Sequence, residues 1–132
     1  MLRLSCKILS FDCISISLTI CYLKSLHFKC ELAFKDIKVS DDFLRDDIGL
    51  EKLDGISMRL IAIGEGFKNI DKLSDRKILV NYPQIPWKDV KGVRDILSHH
   101  YFDLDSEVIF GICKSNVSDL LDVSKQIKKD LS

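Results

Sequence analysis

Chain breakers are scarce: two prolines and six glycines are spread over 132 residues. Such scarcity favours long helices over a strand-and-turn fold. Charge of one sign is also lacking, since 20 Lys plus Arg balance 20 Asp plus Glu to a formal net charge of zero. That balance excludes a histone-like nucleic-acid glue, because counterion release needs many cationic groups. It does not exclude a small basic cleft. No C-x-x-C pair occurs among Cys6, Cys13, Cys21, Cys30 and Cys113, so zinc-ribbon and thioredoxin readings have no support. The odd cysteine count argues against a closed disulfide framework and for reduced thiols in a cytoplasmic setting, packed as small apolar residues. No apolar run reaches the roughly 20 residues that a bilayer span requires. Met1 to Leu23 begins like a secretory leader, with Arg3 and Lys7. Asp12 interrupts its apolar stretch, however, and no small-x-small cleavage site follows. The expectation is mature, folded protein with no membrane partner.

What is present reads as one soluble globular domain over residues 1–132, with 46% hydrophobic and 30% charged residues. Leu53, Ile56, Leu60, Ile63, Phe67 and Ile70 recur at three- and four-residue steps, which predicts an amphipathic helix over about 42–73. Asp46 and Asp47 suit its N-terminus, while Lys68 and Lys72 suit its C-terminal half. Ile109, Ile112, Val117, Leu120, Val123 and Ile127 form a similar stripe, predicting a last helix over about 106–130. Pro83 and Pro86 make the intervening segment a loop, after which Trp87 to about 100 has helical spacing. The first segment is ambiguous. Ile14 to Ile20 alternates with a period of two, like a strand, whereas Leu4, Ile8, Phe11, Ile14, Leu18 and Tyr22 fit a helix stripe. A lone strand has nothing to pair with, so a helix over about 4–30 is expected. The predicted fold class is all-α: an antiparallel bundle of roughly four to five helices.

The chemistry-bearing stretch is Arg94-Asp95-Ile96-Leu97-Ser98-His99-His100-Tyr101. At about 100° per residue, Val90, Val93, Ile96 and Leu97 fall on one side of a helical wheel, and Arg94, Asp95, His99 and Tyr101 on the other. Asp95 and His99, four apart, share a face, where a carboxylate fixes an imidazole tautomer and raises its basicity. Arg94 offers a planar cationic fork suited to phosphate. The plainer reading of such residues is a solvated helix face with one surface ion pair. His100 falls on the apolar side and reads as a packed or capping histidine.

Arg94 to Tyr101 nevertheless matches R-x-x-x-x-H-x-Y, and the stretch resembles the motif of the HepT-like toxins, a branch of the HEPN superfamily. Met58-Arg59-Leu60-Ile61-Ala62-Ile63-Gly64-Glu65 is similar to that family's R-L-x-x-I-G-E helix, and Ile85-Pro86-Trp87-Lys88-Asp89-Val90-Lys91-Gly92-Val93-Arg94 to its approach to the motif. Segments in register over roughly residues 40–125 are far more specific than the short motif alone. Residues 1–35 depart from the family in their Cys- and Ser-rich composition.

The resemblance implies an all-α homodimer with the two motifs facing across the dimer cleft, acting as a ribonuclease toxin beside a minimal nucleotidyltransferase antitoxin. It implies cleavage without metal or cofactor, leaving a 2′,3′-cyclic phosphate, and neutralisation by AMP transfer from ATP to Tyr101. The chemistry agrees: RNA carries its own nucleophile in the 2′-OH, so a base, an acid and charge stabilisation suffice. His99 is the expected base and acid, Arg94 the phosphate ligand and Asp95 the residue orienting His99. Glu65 and Arg59, six apart on the resembling helix, read as supporting residues, more simply an ion pair ordering the dimer than catalysts. His100 fills a variable slot of the motif. Trp87 reads as a helix-start anchor in the core. The competing readings are a non-catalytic HEPN-type module binding nucleotide or a partner, and a plain helical dimerisation domain.

Overall fold

The computed structural model describes residues 13–98 and 106–131. Its helices are α1 (Cys13–Phe34), α2 (Asp47–Leu73), α3 (Trp87–Lys91), α4 (Val93–Ser98), α5 (Ser106–Ser115) and α6 (Val117–Leu131). Short 3-10 turns occur at Ser40–Phe43 and Leu79–Asn81, and there is no strand among the described residues. The fold is an all-α bundle, as the breaker-poor sequence predicts. No helix among the described residues is long and apolar enough to cross a membrane.

The central element is α2. Asp46 caps it, its carboxylate accepting from the Gly49 N–H at 2.7 Å, which satisfies one of the four orphan donors of a helix start. Leu53, Ile56, Leu60, Ile63, Phe67 and Ile70 are all buried, so the stripe read from spacing is the core face. Each side chain of this size contributes roughly 1.5–3 kcal/mol on burial. The helix starts at Asp47 and not near 42. Residues 40–43 instead make a 3-10 turn that drives Phe43 into the core.

Helix α1 runs antiparallel to α2. Near its start, Thr19 accepts from Asn69 at 3.3 Å; just past its end, Asp36 meets Lys52 at 3.6 Å. It also lies along α6, where Lys128 reaches Cys21 at 3.3 Å. The helical reading of this segment holds, but the stripe chosen for it is the wrong face. Ile16, Ile20, Leu23, Leu26, His27 and Cys30 are buried, whereas Ile14, Leu18, Tyr22, Phe28 and Leu32 are exposed on the opposite side. Two apolar stripes offset by two residues produce the strand-like alternation of Ile14 to Ile20. Leu4, Ile8, Phe11 and Cys6 lie outside the described residues. Of the described thiols, Cys30 is buried, Cys113 half-buried and Cys21 exposed. Burial pushes the Cys30 thiol up to about 11 and Cys113 up to about 12.

Two helices expected to be continuous are each broken once. The segment 87–100 splits at Gly92, which ends α3 with its N–H donating to the Lys88 carbonyl at 3.0 Å. The segment 106–130 splits at Asn116, between α5 and α6. The loop before α3 is held by Tyr82, whose hydroxyl donates to the buried Asp130 carboxylate at 2.5 Å. Burial, and after it that carboxylate, push the Tyr82 hydroxyl well above the usual phenol range. Trp87 begins α3 as expected, its indole N–H donating to the Tyr82 carbonyl at 2.9 Å and its ring 5.0 Å from Phe67.

Candidate active site

The site is built where α2 is crossed by the joint between α3 and α4. Gly64 permits the crossing. A Cβ placed there would stand 2.7 Å from the Val90 carbonyl oxygen and 2.7 Å from Val93 Cγ1, distances that no side chain tolerates. The bare backbone lets Val93 bury itself against α2. The residue following each contact then emerges at the rim. Glu65 follows Gly64, Arg94 follows Val93, and Arg94 Nη1 lies 3.8 Å from Glu65 Oε1.

Glu65 Oε1 also has Lys68 Nζ at 3.6 Å. This oxygen is itself shielded from solvent and takes no hydrogen bond, since both cations stand at ion-pair and not hydrogen-bond range. The two side chains are otherwise open, Arg94 being 62% and Glu65 42% exposed. Pairs of this exposure stabilise a fold by only about 0–1 kcal/mol. The arrangement is better suited to aiming a guanidinium than to holding helices together. A second tie repeats the pattern nearby: Lys91, at the end of α3, donates to Asp71 of α2 at 2.9 Å.

Of the residues singled out by sequence, the structure therefore joins Glu65 to Arg94. It does not join Glu65 to Arg59. Arg59 folds back along α2 over Gly55, where a Cβ would meet its Nη1 at 3.4 Å, and its positive charge is felt by the Cys30 thiol on α1. Asp95 is exposed on α4. His99, His100 and Tyr101 lie outside the described residues, as does the Asp95–His99 pairing expected from their spacing. Ile96, expected on the apolar face, is 45% exposed. It borders a 430 Å³ cavity lined also by Leu60, Val90, Val93, Val108 and Ile112.

Sequence reasoning missed Asp71 and treated Lys68 and Lys72 as dipole partners only. The available signal was their spacing from Glu65: three, six and seven residues put all of them on the turns of α2 that follow the crossing. His27 was also missed. It is fully buried, with Nδ1–H donating to the Leu23 carbonyl at 2.6 Å and Nε2 without a hydrogen-bond partner. Burial lowers its pKa, which makes it a neutral core residue, its ring edge-on to Phe67 at 6.5 Å.

The chain is similar to known proteins over this same region. The model of the family described as ribonuclease HepT-like matches residues 26–127. A "Putative RNase" of Methanocaldococcus jannaschii is 33% identical over 91 residues, covering 69% of each chain. Another protein of that name, from Caldanaerobacter subterraneus subsp. tengcongensis, is 30% identical over 112 residues, covering 83% of this chain and 91% of its own. A "Probable ribonuclease HepT" of Thermococcus cleftensis is 36% identical over 70 residues, covering 53% of this chain and 60% of its own. No solved structure gives a significant match. With the matched span enclosing the Gly64 crossing and the whole of Arg94 to Tyr101, this chain belongs to the HepT-like ribonuclease family.

Proposed function

We propose that the chain is the ribonuclease toxin of a toxin–antitoxin pair, cutting RNA within a site shared by two copies of the chain. The observation that carries the reading is Arg94, an exposed guanidinium aimed by Glu65 at the rim of the α2 crossing, in a chain of the HepT-like family. His99 of one copy takes the proton from a ribose 2′-OH, which attacks the adjacent phosphorus. The P–O5′ bond breaks, and His99 of the other copy protonates the departing oxygen. The products are a 2′,3′-cyclic phosphate and a free 5′-OH. Asp95 holds His99 in the required tautomer, and Arg94 neutralises the charge that builds on the phosphate. Each copy supplies one motif imidazole at this position, which is the chemical reason for two copies to meet.

Neutralisation in this reading acts on the same motif. A nucleotidyltransferase antitoxin transfers AMP from ATP to the Tyr101 hydroxyl, releasing pyrophosphate. The new phosphodiester is an anion beside Arg94, so it occupies the phosphate site and repels RNA.

The test is RNA cleavage by the purified protein, with 2′,3′-cyclic phosphate ends identified on the product. Cleavage that persists in both Arg94→Ala and His99→Ala would overturn the assignment. Mass spectrometry of protein co-expressed with a nucleotidyltransferase encoded beside it tests Tyr101: adenylylation at another residue refutes the proposed switch.

A further inference from the structure

Five cations gather on the side of the crossing where α2 ends. Arg94 and Lys68 flank Glu65, and Lys91 is tied to Asp71. Beyond them a 420 Å³ cavity is lined by Lys68, Asp71, Lys72, Asp75, Arg76 and Lys91. Arg94, Lys68 and Lys91 are each committed to a carboxylate. Lys72 and Arg76 are not: both are exposed and neither has an ion pair among the described residues. In a chain of zero net charge, these five cations outnumber the three carboxylates among them, Glu65, Asp71 and Asp75, and leave a local positive field.

The backbone at the end of α2 turns through two left-handed residues at this cluster. Asp75 and Arg76 both have positive φ, 52° and 60°, and neither is glycine. Left-handed residues other than glycine are disfavoured and persist where the surroundings hold them. Here the Arg76 N–H donates back to the Asp71 carbonyl at 2.8 Å. That bond turns the chain across the end of the helix and brings Arg76 to the cavity wall, beside Lys72.

We infer that the Lys68–Lys72–Arg76–Lys91 cavity is a second phosphate site, one that holds the backbone of RNA outside the scissile bond. It rests on the ribonuclease reading above and deepens it, by extending the substrate from a single phosphodiester at Arg94 to a strand laid along the last turns of α2. The contacts are to phosphate and carry no base preference. Their contribution grows with RNA length and weakens with salt, because each neutralised phosphate releases counterions.

The experiment uses the double variant Lys72→Gln/Arg76→Asn in the full chain. Both positions are exposed, and Asn tolerates the left-handed backbone at position 76. Cleavage of a twelve-nucleotide RNA is compared with cleavage of a dinucleoside monophosphate by wild type and variant. The expected result is a fall of about five-fold or more in the ratio of kcat/KM for the long substrate to that for the short one. In parallel, anisotropy with a labelled, 2′-O-methylated twelve-mer reads binding without cleavage. There the logarithmic salt slope falls by roughly 1.4, about 0.7 per lost phosphate contact. An unchanged ratio together with an unchanged slope overturns the inference. A wild type that cleaves neither RNA but binds the twelve-mer through these residues refutes the ribonuclease reading and leaves the phosphate site standing. Loss of an acidic protein partner, or of ATP, in the variant with RNA binding intact assigns the cluster elsewhere and overturns the inference.

Discussion

Glu65 Oε1 stands 3.8 Å from Arg94 Nη1 because two smaller residues, Gly64 and Val93, meet directly behind them. The ion pair is a consequence of the crossing and not its cause. A solvent-exposed pair of this kind adds little to stability, whereas a clash at the crossing displaces the guanidinium from its aim.

Substituting Gly64→Ala therefore separates packing from charge. Its new methyl meets backbone at Val90 and a methyl of Val93, each at 2.7 Å. The expected cost is about 1–3 kcal/mol by chemical denaturation, with RNA cleavage reduced further than the population of folded protein explains. Wild-type cleavage in a folded Gly64→Ala protein would show that Arg94 does not depend on the crossing.

At Arg94 itself, the shape of the cation matters as well as its charge. Arg94→Lys keeps the charge and loses the paired donors of the guanidinium. Cleavage is expected to fall at least about ten-fold in Arg94→Lys and further in Arg94→Ala, with Tm unchanged within a few degrees because the side chain is exposed. Equal activity of the Lys variant and wild type contradicts a bidentate role.

Tyr82 and Asp130 provide a test of the fold that is independent of the site. Tyr82→Phe removes the hydroxyl donating at 2.5 Å to a carboxylate in a buried residue, leaving it the Gln126 amide at 2.8 Å. Loss of a hydrogen bond to a charged group costs about 1.5–3 kcal/mol, read as a lower denaturation midpoint with an unchanged slope. A shift below about 0.5 kcal/mol would mean that solvent replaces the tyrosine.

His27 makes stability depend on pH. Burial lowers its folded pKa beneath the ordinary value of 6.5. The unfolded chain thus binds a proton that the folded chain refuses, and stability falls as pH drops below about 6.5. The loss continues until the pH reaches the folded pKa. Wild type is expected to lose Tm between pH 7 and 5 more steeply than His27→Gln, and parallel curves would remove His27 from the account.

Legibility from sequence followed how many partners a residue has. Helix α2 packs one face only, so its spacing named the buried residues from Leu53 to Ile70. The approach to Arg94 was readable as a family pattern, and Gly64 within it proves to be the contact that makes the pattern necessary. The buried face of α1 was not readable, because Ile14, Leu18 and Tyr22 are as apolar as Ile16, Ile20 and Leu23, and only the third dimension selects between them. The breaks at Gly92 and Asn116 were lost for a related reason: apolar spacing continued through both, so periodicity carried no mark of them. The chain enters the wall of the basic cavity through two left-handed residues, Asp75 and Arg76, a conformation that an arginine does not announce.

Helix α1 draws its buried face from α2 and also from α6, with Lys128 touching Cys21 across a separation of 107 residues. During synthesis, then, the first helix emerges long before one of its two supports exists. A nascent chain that has not yet reached Val117 shows Ile16, Ile20 and Leu23 incompletely covered, in addition to the stripe already open on the other side. Completion of the core is accordingly a late, long-range event, slower than the local coiling of any one helix, and during that interval the growing chain is most exposed to chaperones and proteases.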